Sequence, residues 1–170
     1  GADIYFIALK DEVYHLVLPL VDFDEKIVVH CSGTMPLSSL SGYTENSGVF
    51  YPLQTFYRHR KVNFREIHVF IEGSSLKIEK TLLQIARRIS EKVIVINSEN
   101  RLFLHVAAVF ACNFVNHFYT AASDILKSKG ISFDLIKPLI NETAFKINEM
   151  EPALAQTGPA VRFDKNTINA

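Results

Sequence analysis

The chain has 170 residues, 48% of them hydrophobic and 21% charged, with 18 basic side chains balanced by 18 acidic ones. That is ordinary globular composition, enough for one substantial core or two small ones. The densest basic run, Arg58-His59-Arg60-Lys61, reads as an exposed loop, and zero net charge argues against a nucleic-acid partner.

Ile4 to Leu9 (IYFIAL) is an unbroken apolar run of the kind that forms a strand buried on both faces of a parallel sheet. Asp11 is placed to cap a helix through about Leu20. Lys26 to Cys31 (KIVVHC) predicts a second strand, ending at Ser32-Gly33, with one helical turn near Pro36 to Leu40. Gly48 to Phe56 (GVFYPLQTF) contains Pro52, and so reads as a strand end or an ordered loop. Ile67 to Glu72 is a third clear strand. A helix capped by Ser74 or Ser75 follows to about Glu91, with Leu76, Leu82, Leu83, Ile85, Ala86 and Ile89 as its apolar face. Val93 to Ile96 is a fourth.

After Asn97 the pattern becomes helical. One helix is predicted from Ser98 to about Lys129, broken near Thr120 and stopped by Gly130; a second runs from Ser132 to near Glu149. Pro152 breaks that helix, Ala155 to Val161 forms an irregular loop, and Asp164 caps a last helix. The fold class is therefore α/β followed by all-α, with a sheet domain over residues 1–97 and a helical domain over 98–170. No internal repeat or low-complexity segment interrupts it. The chain opens on a strand and stops in the first turn of a helix, so a fragment of a longer protein is expected.

The segment Ser98 to Thr120 is the most informative. Taking Arg101 as zero and about 100° per residue, His105, Cys112, Asn113, Asn116 and His117 fall near about 40, 20, 120, 60 and 160°. Phe103, Leu104, Phe110, Phe114 and Phe118 occupy the opposite arc. One side is an apolar wall; the other carries polar groups that need partners when buried. Leu102 to Tyr119 is about long enough for a membrane span, but its His and Asn residues make it a poor one. With no basic leader before the first strand, the expectation is a cytoplasmic protein without a membrane partner. Cys31 and Cys112 belong to no metal-ligand spacing and are expected to be buried free thiols; no metal site is expected.

In an open α/β sheet, ligands bind beyond the carboxyl ends of the strands. Ala8 to Asp11, His30 to Gly33 and Tyr51 to Thr55 fall there, although each also reads as an ordinary strand-to-helix turn. An imidazole can act near neutral pH, so His105 is a candidate general acid or base, though a lone helical His is more often a core or interface residue. Asn113 and Asn116 can orient a substrate carbonyl or bridge helices across a dimer. Gln156, Thr157 and Gly158, followed by Arg162, offer polar contacts for an anionic ligand, or simply a Gly-Pro turn. No glycine-rich phosphate loop and no nucleophile elbow is present in the sequence.

The segments IALKDEVY, VVHCSGTMP, GVFYPLQTF, INSENRLFLHVAAVFACNFVNHFYT and QTGPAVRFD resemble, over nearly the whole chain, a bacterial family of Rossmann-like reductases. In that family a dinucleotide domain precedes a helical domain of unknown function. It is similar to pyrroline-5-carboxylate reductase and the 6-phosphogluconate-dehydrogenase-like group, and its members are described as NADP oxidoreductases. The resemblance implies that Ile4 to Leu9 is the fourth strand of a Rossmann-like parallel sheet. Ala8, Leu9 and Lys10 would then lie along NADP, with His30, Ser32 and Gly33 near the nicotinamide and Pro52 lining the cleft. Gln54, Thr55, His105, Asn113, Gln156, Thr157, Gly158 and Arg162 would face a small-molecule substrate. His105 would be the proton donor, Asn113 a positioning group, and Arg162 or Gln156 an anion contact. The helical part would form a homodimer. The family's glycine-rich fingerprint does not occur in this chain, so dinucleotide binding by it is expected to be weak.

The leading expectation is an NADP-dependent oxidoreductase acting on a small imine or carbonyl. The alternative is a non-catalytic homodimeric module that binds a metabolite or partner. A metal hydrolase using His105 and His117 ranks below both.

Overall fold

The computed structural model describes residues 2–158 and Phe163. Five strands form one sheet in the order β1-β2-β3-β4-β5: Ile4–Ile7, Ile27–His30, Ser47–Pro52, His68–Gly73 and Lys92–Val95. Strands β1, β2 and β3 are mutually parallel, with Ile7 opposite His30 and His30 opposite Val49. Strand β3 then pairs antiparallel with β4, placing Tyr51 opposite Phe70 and Val49 opposite Glu72, and β4 runs parallel to β5. The sheet is mixed, which corrects the expectation of an all-parallel one. The cause lies in the connection: Leu53 to Ile67 holds only one 3-10 turn, Phe64–Glu66, and no crossover helix. Parallel neighbours require such a crossover.

Alternation along the strands assigns the two faces. Val29, Phe50, Val69 and Ile71 point to one side, where helix α2, Leu76–Ile89, covers them with Ile78, Leu82 and Ala86. Ser75 caps α2, its Oγ accepting the Ile78 N–H. The helix sits close: a Cβ at Gly48 would fall 2.5 Å from Leu82 Cδ1. Leu76 and Ile89 are exposed, so the apolar face is narrower than its sequence pattern suggested.

On the opposite side, Tyr5, Ile7 and Val28 pack with Tyr14, Leu18, Phe23 and Leu40. Tyr14 and Leu18 come from a distorted helical stretch: a 3-10 turn Asp11–Val13, one α turn α1, Tyr14–Val17, and a second 3-10 turn Leu18–Leu20 containing Pro19. Asp11 does not cap it. Its carboxylate accepts hydrogen bonds from the Ser32 and Thr34 hydroxyls instead.

The long helical run comprises α3, Ser98–Ala108, a π-helical segment Val109–Phe114, and α4, Val115–Lys127. The interruption therefore falls before Thr120. Compact packing divides the chain into Gly1–Val115 and Asn116–Ala170. The first unit extends past residue 97 because the start of the run is fastened to the sheet. The second unit contains the rest of α4, Gly130 in the left-handed region at φ 68°, and a 3-10 turn Phe133–Ile136 capped by Ser132. Helix α5, Lys137–Glu149, and the short α6, Pro152–Ala155, follow. Pro152 thus opens a helical turn as well as ending α5. The helix expected from Asp164 lies outside the described residues.

Candidate functional site

The site grows from one buried ion pair. Glu72, near the end of β4, faces the same side of the sheet as Tyr51 and His30, and its carboxylate receives the N-terminus of α3. The Ser98 N–H donates to Oε1 at 3.0 Å and Ser98 Oγ donates to Oε2 at 2.7 Å. A carboxylate there satisfies free helix N–H groups and opposes the helix dipole. Arg101, fully buried, donates Nη1 to the same carboxylate and Nη2 to the Met35 carbonyl. Ser98 Oγ also accepts the Leu37 N–H at 2.8 Å. Strand β4, the loop after β2 and the first turn of α3 are therefore tied at one point. Removing either charge would leave the other unpaired in a poorly solvated place.

One turn beyond Arg101, His105 meets Tyr51: Oη lies 2.9 Å from Nδ1. Gly33 closes the third side, since a Cβ there would stand 2.4 Å from Nδ1 and 2.9 Å from Tyr51 Cζ. No other residue type fits without moving the pair. Burial raises the Tyr51 hydroxyl above its usual range, and the nearby Arg101 charge partly offsets this. The phenol therefore keeps its proton at neutral pH.

Tyr51 and His105 wall a mostly apolar cleft of about 690 Å³, with Leu53, Gln54, Thr55, Phe56, Leu104 and Asn113 among its other lining residues. It opens beside the carboxyl end of β3. His105, Asn113, Gln54 and Thr55 thus line one cleft. Gln54 and Thr55 also border a polar hollow of about 480 Å³ with Arg60, Lys61 and Glu66. Cys112 stands on the cleft wall and is exposed, not buried; Cys31 is half-buried, and burial raises its thiol.

The expected cofactor residues divide. Ala8, Leu9 and Lys10 form an exposed rim beyond β1, and Ser32 sits beside it through its bond to Asp11. Pro52 ends β3, opposite Val69, half-buried. His30 is a correction: it is completely buried, so its ring cannot touch a ligand in the cleft. Its Nδ1 accepts the Ser32 N–H, and burial followed by the Arg101 charge lowers its pKa to about 4. His30 is a neutral prop under the loop. Gly33 is likewise buried and serves the Tyr51–His105 contact. Gln156, Thr157 and Gly158 belong to the second unit, where Gly158 takes φ 108°. Arg162 lies outside the described residues.

At the strand ends these residues offer hydroxyls and a carboxylate, Ser32 and Thr34 beside Asp11. They do not form a phosphate cradle. The Ser32 N–H is spent on His30, and those of Thr34 and Met35 on Ser32 Oγ. Among the described residues, no three His, Cys, Asp or Glu side chains converge as a metal site.

Fold and site together define a Rossmann-like α/β unit followed by helices. The family model described as "Domain of unknown function (DUF2520)" matches residues 67–170, and the chain belongs to that family. It superposes on a "putative NADP oxidoreductase" from Bacteroides fragilis with TM-score 0.92 and 44% identity, over 99% of this chain and 66% of that one. A protein from Thermotoga maritima gives TM-score 0.77 and 25% identity, over 96% of this chain and 66% of that one. An imine reductase from Myxococcus stipitatus, in complex with NADP+, gives TM-score 0.60 at 13% identity, over 87% of this chain and 57% of that one; this likeness is one of fold. The chain spans 66% of the length of the first two. Comparison with curated proteins gives no match.

Sequence reasoning missed Glu72 and Arg101 as an anchor, and placed Tyr51 in a ligand-binding segment without giving it a role. An acidic residue closing an otherwise apolar strand, as in IHVFIE, was the available signal for Glu72.

Proposed function

We propose that this chain is the catalytic part of an NADP-dependent oxidoreductase that reduces a small imine or carbonyl substrate in the cytoplasm. The observation that carries this reading is the Tyr51–His105 hydrogen bond on the wall of an apolar cleft beside a strand's carboxyl end. A bound dinucleotide would supply the hydride, and Ala8, Leu9, Lys10 and Ser32 would hold its nicotinamide and ribose end. The Tyr51–His105 pair supplies the proton, Asn113 orients the substrate's polar group, and the apolar wall excludes water. The exposed apolar faces of α4 and α5 support a homodimer formed through the helical part, around residues 98–170.

Titration of the full-length protein with NADPH in a calorimeter should give saturable binding at one site per chain. Absence of saturable binding would remove this reading. A non-catalytic homodimeric module is favoured by one observation, the loop N–H groups already spent internally. NADPH binding without turnover across a panel of imines and keto acids would select it.

A further inference from the structure

We infer that Tyr51 is the residue that hands the proton to the substrate, and that His105 acts through it, by holding and refilling the Tyr51 oxygen. This rests on the reductase reading above.

The geometry begins with the backbone. Tyr51 lies in β3, fixed between Phe50 and Pro52, which pair with Ile71 and Val69 across the antiparallel ladder. Its ring leans on Phe70 with centroids 6.4 Å apart and meets His105 edge-on at 5.9 Å. A strand-borne phenol held on two sides is a rigid donor. His105 rides on α3, which the Glu72–Arg101 pair fastens to the same sheet one helical turn earlier.

The 2.9 Å contact holds one shared proton, and its direction decides the chemistry. If the Tyr51 O–H donates to Nδ1, the phenol has no proton left for the cleft. If Nδ1–H donates to Oη, the phenol proton is free to point into the cleft, and the oxygen is stabilised once that proton leaves. Only the second arrangement delivers a proton to the cleft, and three features suit the pair to that step. Burial keeps Tyr51 protonated at neutral pH. The buried Arg101 cation stabilises the phenolate that follows. Gly33 closes the remaining side of Nδ1, so that nitrogen is committed to Tyr51. His30, on the same face, stays neutral and adds no competing charge.

The proton step balances. As hydride reaches the substrate carbon, the C=N or C=O π pair moves to the heteroatom, which forms its new bond to the Oη proton as the Oη–H bond breaks. The phenolate takes the Nδ1 proton of His105, and Nε2 takes one from solvent, leaving a neutral imidazole with its proton moved. The ring returns to its starting tautomer by exchange with water.

Two measurements test the assignment. Nitrogen NMR of the imidazoles in the ligand-free protein should show His105 as the Nδ1–H tautomer, with that preference lost in Tyr51→Phe. An Nε2–H tautomer in the unsubstituted protein, with Nδ1 as acceptor, would overturn the inference. With saturating NADPH and 1-pyrroline as the probe, Tyr51→Phe should lower single-turnover oxidation by about 100-fold or more while leaving NADPH affinity unchanged. His105→Asn, whose amide can keep a donor near the Nδ1 position, should lose about 10-fold or less. A Tyr51→Phe protein that keeps more than a tenth of the rate would overturn the inference. Failure of NADPH to bind at all would instead remove the reductase reading, with the tautomer result still standing.

Discussion

The two compact units solve the problem of apolar surface in opposite ways. The unit through Val115 buries its apolar side chains on both faces of one sheet, and then spends a buried ion pair to fix α3 on it. Among the described residues of the second unit, no helix has a buried residue: Phe118, Leu139 and Leu154 are 69%, 65% and 76% exposed. Helix propensity and local caps build these elements, and packing among the described residues of that unit leaves their apolar side chains exposed. The lesson is a division of labour. The first unit carries its own stability, whereas the second presents surface.

Breaking the ion pair should have the largest effect. Arg101→Met leaves the Glu72 carboxylate, 17% exposed, without its partner, and should cost about 3–5 kcal/mol in urea unfolding. Adding Glu72→Gln to it should restore part of that loss. If Arg101→Met leaves the midpoint unmoved, the cluster does not hold the first unit.

The pair Leu82→Ala and Leu139→Ala addresses the contrast directly. The first empties the completely buried core under α2 and should cost about 2–5 kcal/mol. The second should fall within about 0.5 kcal/mol in dilute solution. A Leu139→Ala cost that rises with protein concentration would show that the helical face is covered by a second copy.

Acid should separate the units too. His30 has a folded pKa of about 4, below the ordinary 6.5, so the unfolded chain binds the extra proton between those values. Stability is therefore full above about pH 6.5 and falls as the pH drops toward 4, by about 3 kcal/mol from this group. His30→Gln should flatten that slope in pH-dependent thermal melts of the first unit. A slope unchanged by the substitution would assign the acid sensitivity elsewhere.

Strands β1, β2, β4 and β5 were legible because apolar runs bounded by polar turns have few other uses, and α2 because Ser75 precedes a 3.6-residue pattern. The antiparallel turn at β3 was not, since pairing direction depends on what connects two strands and the Leu53 to Ile67 segment carries no periodicity. Asp11 illustrates a second limit. Next to a helical turn, a carboxylate reads as a cap, but hydroxyls at Ser32 and Thr34, distant in sequence, compete for it and win. The cleft was half legible: His105 and Asn113 stood out as polar groups on an apolar helix, whereas Tyr51 was hidden among the aromatic residues of a strand, and His30 looked like a ligand only until its burial was known.

The π-helical segment has a consequence for that cleft. An inserted residue retards the phase of everything beyond it by about one helical step, roughly 100°. In an unbroken α-helix, Cys112 would stand two turns above His105 on the same stripe, and Asn113 would be turned aside. The extra residue brings Asn113 back toward that stripe, beside a cleft that both line. A single added amino acid thus works as a gear tooth: it sets an amide beside the thiol of Cys112 on the wall that His105 shares.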